Sequence, residues 1–365
     1  MYTILAAYAI GSLIAQGVTC AVTARHANKR VPAGIAPDGI TVLRPVSGLH
    51  PGIEDTIASS FTLEGCPHEV IFCISDPHDP AIPLVQAALA AHPDQDAKLL
   101  VGLDEASFNP KIDNLQKGWA AAKYEKVLMV DSNVRLSPDT LMVAEGLRQQ
   151  QDVGLVTSPP LAVAPEGLAA ELETAFLNSH QLRWQLFADA LGYGFAQGKL
   201  LYLRKEQLGN MGLNALTVEY AEDAASTKVI RRQGMRVVLM LPPVSQIVGK
   251  RKLRGIWGRQ ERWAQLRWNS FSTQYLAEIF SGAFLPFVAA AIAFGWWALA
   301  FAALWYLIEI VMIRRCGWHL NAVQVACLPV RDLLLPVIWV IGLLKRTYEW
   351  NGHIIRLSRE GPNQG

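Results

Sequence analysis

Residues Glu125 to Leu136 read EKVLMVDSNVRL, and the fold is decided there. Val127 to Val130 are apolar without interruption, and Asp131, Ser132 and Asn133 then turn the chain polar. A short apolar run with no alternation predicts a strand buried on both faces, as in a parallel sheet covered by helices. Ligands of such sheets bind beyond the carboxyl ends of the strands. An acid, a hydroxyl and an amide at that end are therefore placed where a ligand would be.

Working outward, the same pattern recurs. ITVLRPV (40–46), EVIFCIS (69–75), KLLVGL (98–103), KVLMVD (126–131), VGLVTS (153–158) and RVVLML (236–241) read as strands. Helical patterns fall between them at 81–92, 112–123, 138–150, 166–190 and 221–233. This alternation predicts an α/β domain over 31–250 with a mostly parallel sheet. No GxGxxG and no Walker A run is present, so the dinucleotide and P-loop readings lack their signature.

The flanks have a different composition. The chain has 365 residues, of which 51% are apolar, and its net charge is only +2. That balance gives no argument for a nucleic-acid partner. Residues 1–24 carry no charge, and Arg25, His26, Lys29 and Arg30 follow at once. A cleaved leader carries its positive charge before the apolar run, so this order predicts a retained anchor helix with its C-terminal end in the cytoplasm. Ile279 to Ile308 are also free of charge, too long a run for one span. A helical hairpin at 276–294 and 297–313 is expected, turning at Gly295-Trp296-Trp297. The last apolar run, Leu333 to Leu344, is bracketed by Arg331-Asp332 and Lys345-Arg346 and reads as a short span or a re-entrant segment. Between sheet and hairpin, 251–275 forms a basic, tryptophan-containing segment suited to the membrane interface. Five cysteines at 20, 66, 73, 316 and 327 fit no disulfide framework or metal knuckle.

Several strand ends share the polar character of Asp131. Asp76 and Asp79 follow EVIFCIS; Lys111 and Asn114 lie in FNPKIDNL; Gln197 and Lys199 lie in GFAQGK; Glu219, Glu222 and Asp223 lie in VEYAEDA. Each has an ordinary structural explanation, as turn residue, cap or solvated first turn. Together they match the needs of a nucleotide-sugar donor. Asp76 and Asp79 could accept from a base or ribose, and Lys111 and Asn114 could shape the nucleotide side. Asp131 could ligate Mg²⁺ or Mn²⁺, both of which favour oxygen ligands. Asp223 could take the proton from an attacking hydroxyl. Arg259 and Arg262 could clamp a departing diphosphate through planar guanidinium forks. Gln197 and Lys199 could line the sugar pocket. His180 in FLNSHQLRW reads, taken alone, as a helix-face residue.

In this order the stretches RPVSGL, ISDPHDPA, NPKIDNL, VDSNVRLSPDTL, LNSH, YAEDA and RQERW resemble the ceramide glucosyltransferase family, inverting lipid glycosyltransferases of the GT-A (nucleotide-diphospho-sugar transferase) fold. The resemblance runs through about 40–275 and includes the flanking membrane helices. It implies three spaced aspartates, at Asp79 (with Asp76 as near alternative), Asp131 and the base Asp223, and a closing motif Arg259-Gln260-Glu261-Arg262-Trp263. It also matches His180 to an active-site histidine. Asn133 stands where many GT-A enzymes have a second acid, which weakens the expected ligand set of Asp131 and Asn133 for a divalent cation. The implied activity is transfer of a hexose, glucose by resemblance, from a UDP-sugar to the hydroxyl of a membrane lipid, ceramide by resemblance. The implied setting is a multi-pass protein, of the bacterial inner membrane, with a cytoplasmic catalytic domain. A diacylglycerol, a hopanoid or a polyprenyl phosphate is the alternative acceptor, and an inactive UDP-sugar-binding scaffold is the alternative class.

Overall fold

The structure is a computed structural model and describes residues 1–36, 38–103, 109–350, 353–358 and 362. Phe108, the first residue of FNPKIDNL, lies outside the described residues. The chain forms two compact units, each discontinuous in sequence. Lys29–Leu161 and Leu191–Ile247 make the sheet unit; Met1–Asn28, Ala162–Ala190 and Val248–Arg359 make the helical unit.

The strands in chain order are β1 (Ile40–Pro45), β2 (His68–Ile74), β3 (Ala97–Val101), β4 (Lys126–Val130), β5 (Val134–Arg135), β6 (Val153–Thr157), β7 (Pro160–Glu166), β8 (Leu200–Arg204), β9 (Arg236–Leu239), β10 (Val244–Lys250), β11 (Thr347–Trp350) and β12 (His353–Arg356). The main sheet has the order β3-β2-β1-β4-β8-β6-β9, so β4 is its middle strand. Its uninterrupted apolar run now has a cause. Leu128 and Val130 pack into one core with Val42, Phe72 and Tyr202, whereas Val127 and Met129 pack into a second core with Leu43, Ile71 and Leu201. Alternate residues of a strand face opposite ways, so a sheet covered on both faces needs apolar residues at every position.

The sheet is mostly parallel, and its seventh strand, β8, was not among the six expected from the sequence. β8 runs antiparallel to both β4 and β6, with Val130 paired to Leu200. β5, β10 and β7 form a small second sheet. The helices of the sheet unit are α2 (Ile53–Ala58), α3 (Ile82–Ala91), α4 (Pro110–Ala121), α5 (Thr140–Arg148) and α8 (Glu222–Arg232).

The helical unit contains α1 (Tyr2–Ala27), α6 (Leu168–Thr174), α7 (Arg183–Ala190), α9 (Leu253–Ser270), α10 (Ser272–Ala277), α11 (Phe284–Phe294), α12 (Ala298–Arg315) and α13 (Ala322–Leu344). Among the described residues, four helical segments are long and apolar enough to cross a membrane: Tyr2–Ala27, Ser272–Phe294, Trp297–Arg315 and Ala322–Leu344. The last differs from the sequence expectation, which placed Arg331-Asp332 as a boundary. Both residues lie inside α13, and their exposures are only 1% and 3%. Arg331 pairs with Glu309 of α12 and, at 2.9 Å, with Asp332. A buried charge persists when it is paired and hydrogen-bonded, which lets the helix run on through the charged pair.

The helix expected at 166–190 is present from Leu168, but not as one regular α-helix. Ala175–Leu182 between α6 and α7 is π-helical, and it holds the whole LNSH stretch.

Candidate active site

The carboxyl edge of the sheet unit is organised by a charge that the chain hides. Arg44 lies in β1 with 0% exposure. It donates to the carbonyls of Thr56 (2.8 Å) and Val134 (2.6 Å), to Ser60 Oγ (2.8 Å) and to the Asp131 carbonyl (3.2 Å). Burial pushes its guanidinium down to about 9, still cationic at neutral pH, with Asp131 opposing the shift. Arg44 thereby ties the turn after β4 to the core beneath it.

Asp131 follows β4 directly, and the antiparallel register explains its surroundings. Because Val130 pairs with Leu200, the preceding Lys199 falls beside Asp131. The Asp131 N–H donates to the Lys199 carbonyl at 3.1 Å. The Lys199 ammonium donates to Asp131 Oδ2 at 2.9 Å and to Asn133 Oδ1 at 3.0 Å. The other oxygen, Oδ1, pairs with Lys111 Nζ at 2.6 Å.

The NPK stretch delivers that second lysine. Asn109 caps α4 by accepting from the Lys111 and Ile112 N–H groups, both at 3.2 Å, and Pro110 takes the first helical position. An Asx cap followed by proline is a strong helix start, and it fixes where Lys111 emerges. Lys111 also donates to the Gly198 carbonyl at 2.6 Å and to Glu222 Oε1 at 2.7 Å. The contact is close: a Cβ on Gly198 would stand 2.6 Å from Glu222 Oε1. Burial alone would raise the Asp131 carboxyl, but the Lys111 and Lys199 ammoniums outweigh it and hold the group well below the usual carboxylate range. Lys111 shifts upward, its burial outweighed by Asp131 and Glu222.

Asp223 is the next residue after Glu222 and occupies the first turn of α8. Its Oδ1 accepts from the Ala224 N–H at 2.7 Å. Burial, and then the neighbouring Glu222 charge, push its carboxyl up to about 6, against opposing pulls from the Ala224 N–H and Lys111. A carboxyl poised near neutrality suits general-base work. The sheet unit thus brings Lys111, Asp131, Asn133, Lys199, Glu222 and Asp223 into one connected network.

The remaining residues expected on this side have other surroundings. Asp79 is 8% exposed, accepting from the Gly48 N–H at Oδ2 and the Ala81 N–H at Oδ1, both at 2.8 Å. It pins the RPVSGL loop to the start of α3. Asp76 is exposed and accepts from the His78 N–H at 2.8 Å. Asn114 is buried and donates to the Cys73 carbonyl at 2.8 Å, which makes it a brace under the edge. Gln197 is held through its backbone, its N–H donating to Thr157 Oγ1 at 2.9 Å.

The donor types at Asp131 and Asn133 fit a hard divalent cation. Mg²⁺ and Mn²⁺ at phosphate sites take one or two protein oxygens and complete their shell with substrate and water. Among the described residues no three His, Cys, Asp or Glu side chains gather in ligating range, so the protein supplies part of a shell only. Both oxygens of Asp131 are engaged by ammoniums here, and a cation would have to displace at least one of them.

In the helical unit, α9 carries Arg259, Arg262 and Trp263. Arg259 Nη2 lies 2.7 Å from Glu173 Oε1, and Arg251 Nε lies 3.0 Å from Oε2 of the same carboxylate. Glu173 is 1% exposed, and burial followed by this pairing sets the guanidinium: burial lowers Arg259 and Glu173 opposes. Arg262 is half-buried on the same helix. Trp263 packs on Ala162, Ala170, Leu177 and Val248. His180 closes the LNSH stretch; its buried Nδ1 has no hydrogen-bond partner among the described residues. Burial, with the Arg331, Arg183 and Arg267 charges, holds the ring well below its ordinary value and therefore neutral. Such π-helical insertions occur often at functional sites.

Arg44, Gly198 and Glu173 were not anticipated as site-forming residues. An arginine inside the otherwise apolar ITVLRPV was the available signal for the first. Nothing local marks Gly198 or Glu173, whose partners are distant in sequence.

A family model described as Glycosyl transferase family 21 matches residues 3–362. Over 231 residues the chain is 27% identical to Ceramide glucosyltransferase 1 of Caenorhabditis elegans, a match covering 63% of this chain and 50% of that protein. It is 22% identical over 342 residues to Ceramide glucosyltransferase 3 of the same organism, covering 88% of this chain and 73% of that one. The match thus spans about half the length of the first of these relatives. Among solved structures, the mannosyltransferase PcManGT from Pyrobaculum calidifontis, in complex with GDP-Man and Mn²⁺, superposes with a TM-score of 0.50 at 19% identity, covering 93% of this chain and 98% of that one. The shared fold is GT-A.

Proposed function

With the chain belonging to glycosyl transferase family 21, we propose that it transfers a hexose, glucose in the first instance, from a UDP-sugar to the primary hydroxyl of a membrane lipid of the ceramide type. The observation that carries this reading is Asp223, a carboxyl raised to about 6 and adjoining the Glu222–Lys111–Asp131 network at the sheet's carboxyl edge. Above that pH the carboxylate takes the lipid hydroxyl proton. The oxygen attacks the anomeric carbon from the face opposite UDP, the bond to the diphosphate breaks, and UDP leaves with the electron pair. A donor with an α-linked sugar gives a β-glycoside, and no covalent enzyme intermediate forms.

Lys111 and Lys199, the two ammoniums beside Asp131, are assigned to neutralise the diphosphate. A divalent cation held by Asp131 and Asn133 would supply further charge stabilisation for the leaving group; the Pyrobaculum neighbour's complex with Mn²⁺ supports including it. Asp76 is assigned to the nucleoside and Gln197 to the sugar, with Asp79 and Asn114 bracing the chain around Asp76 and Thr157 holding Gln197. Arg262 and Arg259 are assigned to the departing diphosphate, the latter aligned by Glu173. His180, held neutral, is assigned to the acceptor side. The four apolar helices support a multi-pass protein; a cytoplasmic catalytic domain at a bacterial inner membrane is the setting proposed with it.

The test is mass spectrometry of lipid products from purified protein given a panel of UDP-sugars with ceramide, diacylglycerol and polyprenyl phosphate. A hexosylated ceramide is expected. Asp223→Asn should retain UDP-sugar binding and lower turnover by about 100- to 10,000-fold, the range for loss of a general base. Near-normal turnover in that variant would remove the base assignment.

A further inference from the structure

The helical unit holds a cavity of about 330 Å³ with no part in the chemistry above. It is bordered by α1, α7, the segment at 280–281 and α12. Trp184, Phe280 and Trp305 give it aromatic walls, and α1 contributes Tyr8, Gly11 and Gln16. From Tyr8 to Gln16 the groove follows α1 for about 12 Å at 1.5 Å per residue. At Gly11 it is open, since a Cβ there would meet nothing within 4 Å.

Among the described residues, two polar groups in this lining lack hydrogen-bond partners. Gln16 is 3% exposed, and its Oε1 accepts from Arg183 Nη1, which leaves Nε2 as the amide's remaining donor. That Nε2 is buried and has no hydrogen-bond partner, and the same is true of Tyr8 Oη. Unpartnered donors are costly inside a protein and more so in hydrocarbon. Gly11, Ala15 and Phe280 of the lining are themselves exposed, and they lie on helical segments long and apolar enough to cross a membrane, so the cavity opens on an apolar surface. An occupant that enters from hydrocarbon and carries a hydrogen-bond acceptor fits both facts.

We propose that this cavity binds an acyl chain of a membrane lipid, with the acyl carbonyl oxygen accepting from Gln16 Nε2 and the chain lying past Gly11 toward Tyr8. We take this lipid to be the acceptor, a step that rests on the transferase reading. The carbonyl is shared by amide-linked and ester-linked chains.

The test uses the full-length protein in nanodiscs with ceramide and diacylglycerol probes bearing a diazirine on the acyl chain, irradiated and mapped by peptide mass spectrometry. Label is expected on the α1 peptide spanning Tyr8 to Gln16 and beside Trp305. Unlabelled ceramide or diacylglycerol should compete it away. Gly11→Phe, which fills the groove, should reduce label at least fivefold and raise the acceptor KM similarly, leaving the UDP-sugar KM unchanged. Gly11→Ala, the folding control, should keep both label and KM. Label from the ceramide probe alone identifies the amide-linked source; label from both identifies acyl carbonyls in general. Label spread over the exposed faces of all four helices and insensitive to Gly11→Phe would overturn the site. Mapped, competed label without any glycolipid product would leave the site standing and remove the transferase reading. Product formation with an unchanged acceptor KM in Gly11→Phe would remove the acceptor role.

Discussion

Asp131 and Asp223 are both carboxylates near Lys111, yet their environments push them in opposite directions. Asp131 makes direct ion pairs with two ammoniums and stays charged. Asp223 has burial and the Glu222 charge against it. Separation of this kind divides roles between acids: one a fixed charge, the other a proton carrier. The sign of the pH effect follows. A carboxyl raised to about 6 is protonated, and inactive as a base, below that value. The acid limb of kcat/KM should therefore break near pH 6. Lys111→Ala removes a positive charge that pulls Asp223 down, so the break should move to higher pH, which a pH–rate series on the variant measures. The raised Asp223 favours folding only at acid pH, and that contribution is lost as pH rises through about 6; Asp131 acts oppositely, its contribution vanishing as pH falls below the ordinary carboxylate value. A second expectation concerns the cation. Lys199 competes for Asp131 Oδ2 and Asn133 Oδ1, so Lys199→Met should strengthen Mn²⁺ binding about tenfold, by removal of a competing charge. Mn²⁺ electron paramagnetic resonance titration, which needs no turnover, reads this. These two aspartates were legible in the sequence as acids at strand or helix ends. Their opposite tuning was not, because it depends on how deeply each is buried and on which charges the fold brings near it.

At the scale of elements, three pieces show where periodicity stops being informative. β4 was read correctly because a strand covered on both faces must be apolar throughout. β8 was not among the strands read from the sequence, and nothing in LLYLR fixes its direction. Its antiparallel insertion between β4 and β6 is what brings Lys199 to Asp131. α13 was read short because Arg331-Asp332 has the charge of a membrane boundary, whereas Glu309 on α12, 22 residues earlier than Arg331, neutralises it. Arg331 keeps Asp332 when Glu309 is removed, but the buried guanidinium loses the hydrogen bonds that Glu309 accepts, a loss of about 1–3 kcal/mol. Glu309→Ala should accordingly lower the thermal unfolding midpoint in detergent, and Glu309→Asp should recover part of it. A midpoint unchanged in Glu309→Ala would show that the pair is not needed to keep α13 folded.

At the scale of the molecule, the chain builds two units from interleaved segments. Residues 162–190 and 248–359 join the N-terminal helix in one unit, while 29–161 and 191–247 form the other. Three apolar helical segments besides α1 are long enough to cross a membrane. Removal of residues 1–28 should therefore leave the protein in the carbonate-resistant membrane fraction, while loss of Gln16 beneath Arg183 destabilises the helical unit; release into the soluble fraction would count against that reading. The sequence by itself determined the α/β class, the presence of apolar helices at both ends, and the set of polar residues at strand ends, since these follow from local periodicity and composition. Only the tertiary structure decided the direction of β8, the continuity of α13, the hidden role of Arg44, and the tuning of Asp131 against Asp223. Each of those depends on a partner far away in the chain, and both Coulomb energy and burial are set by distance in space rather than by separation in sequence.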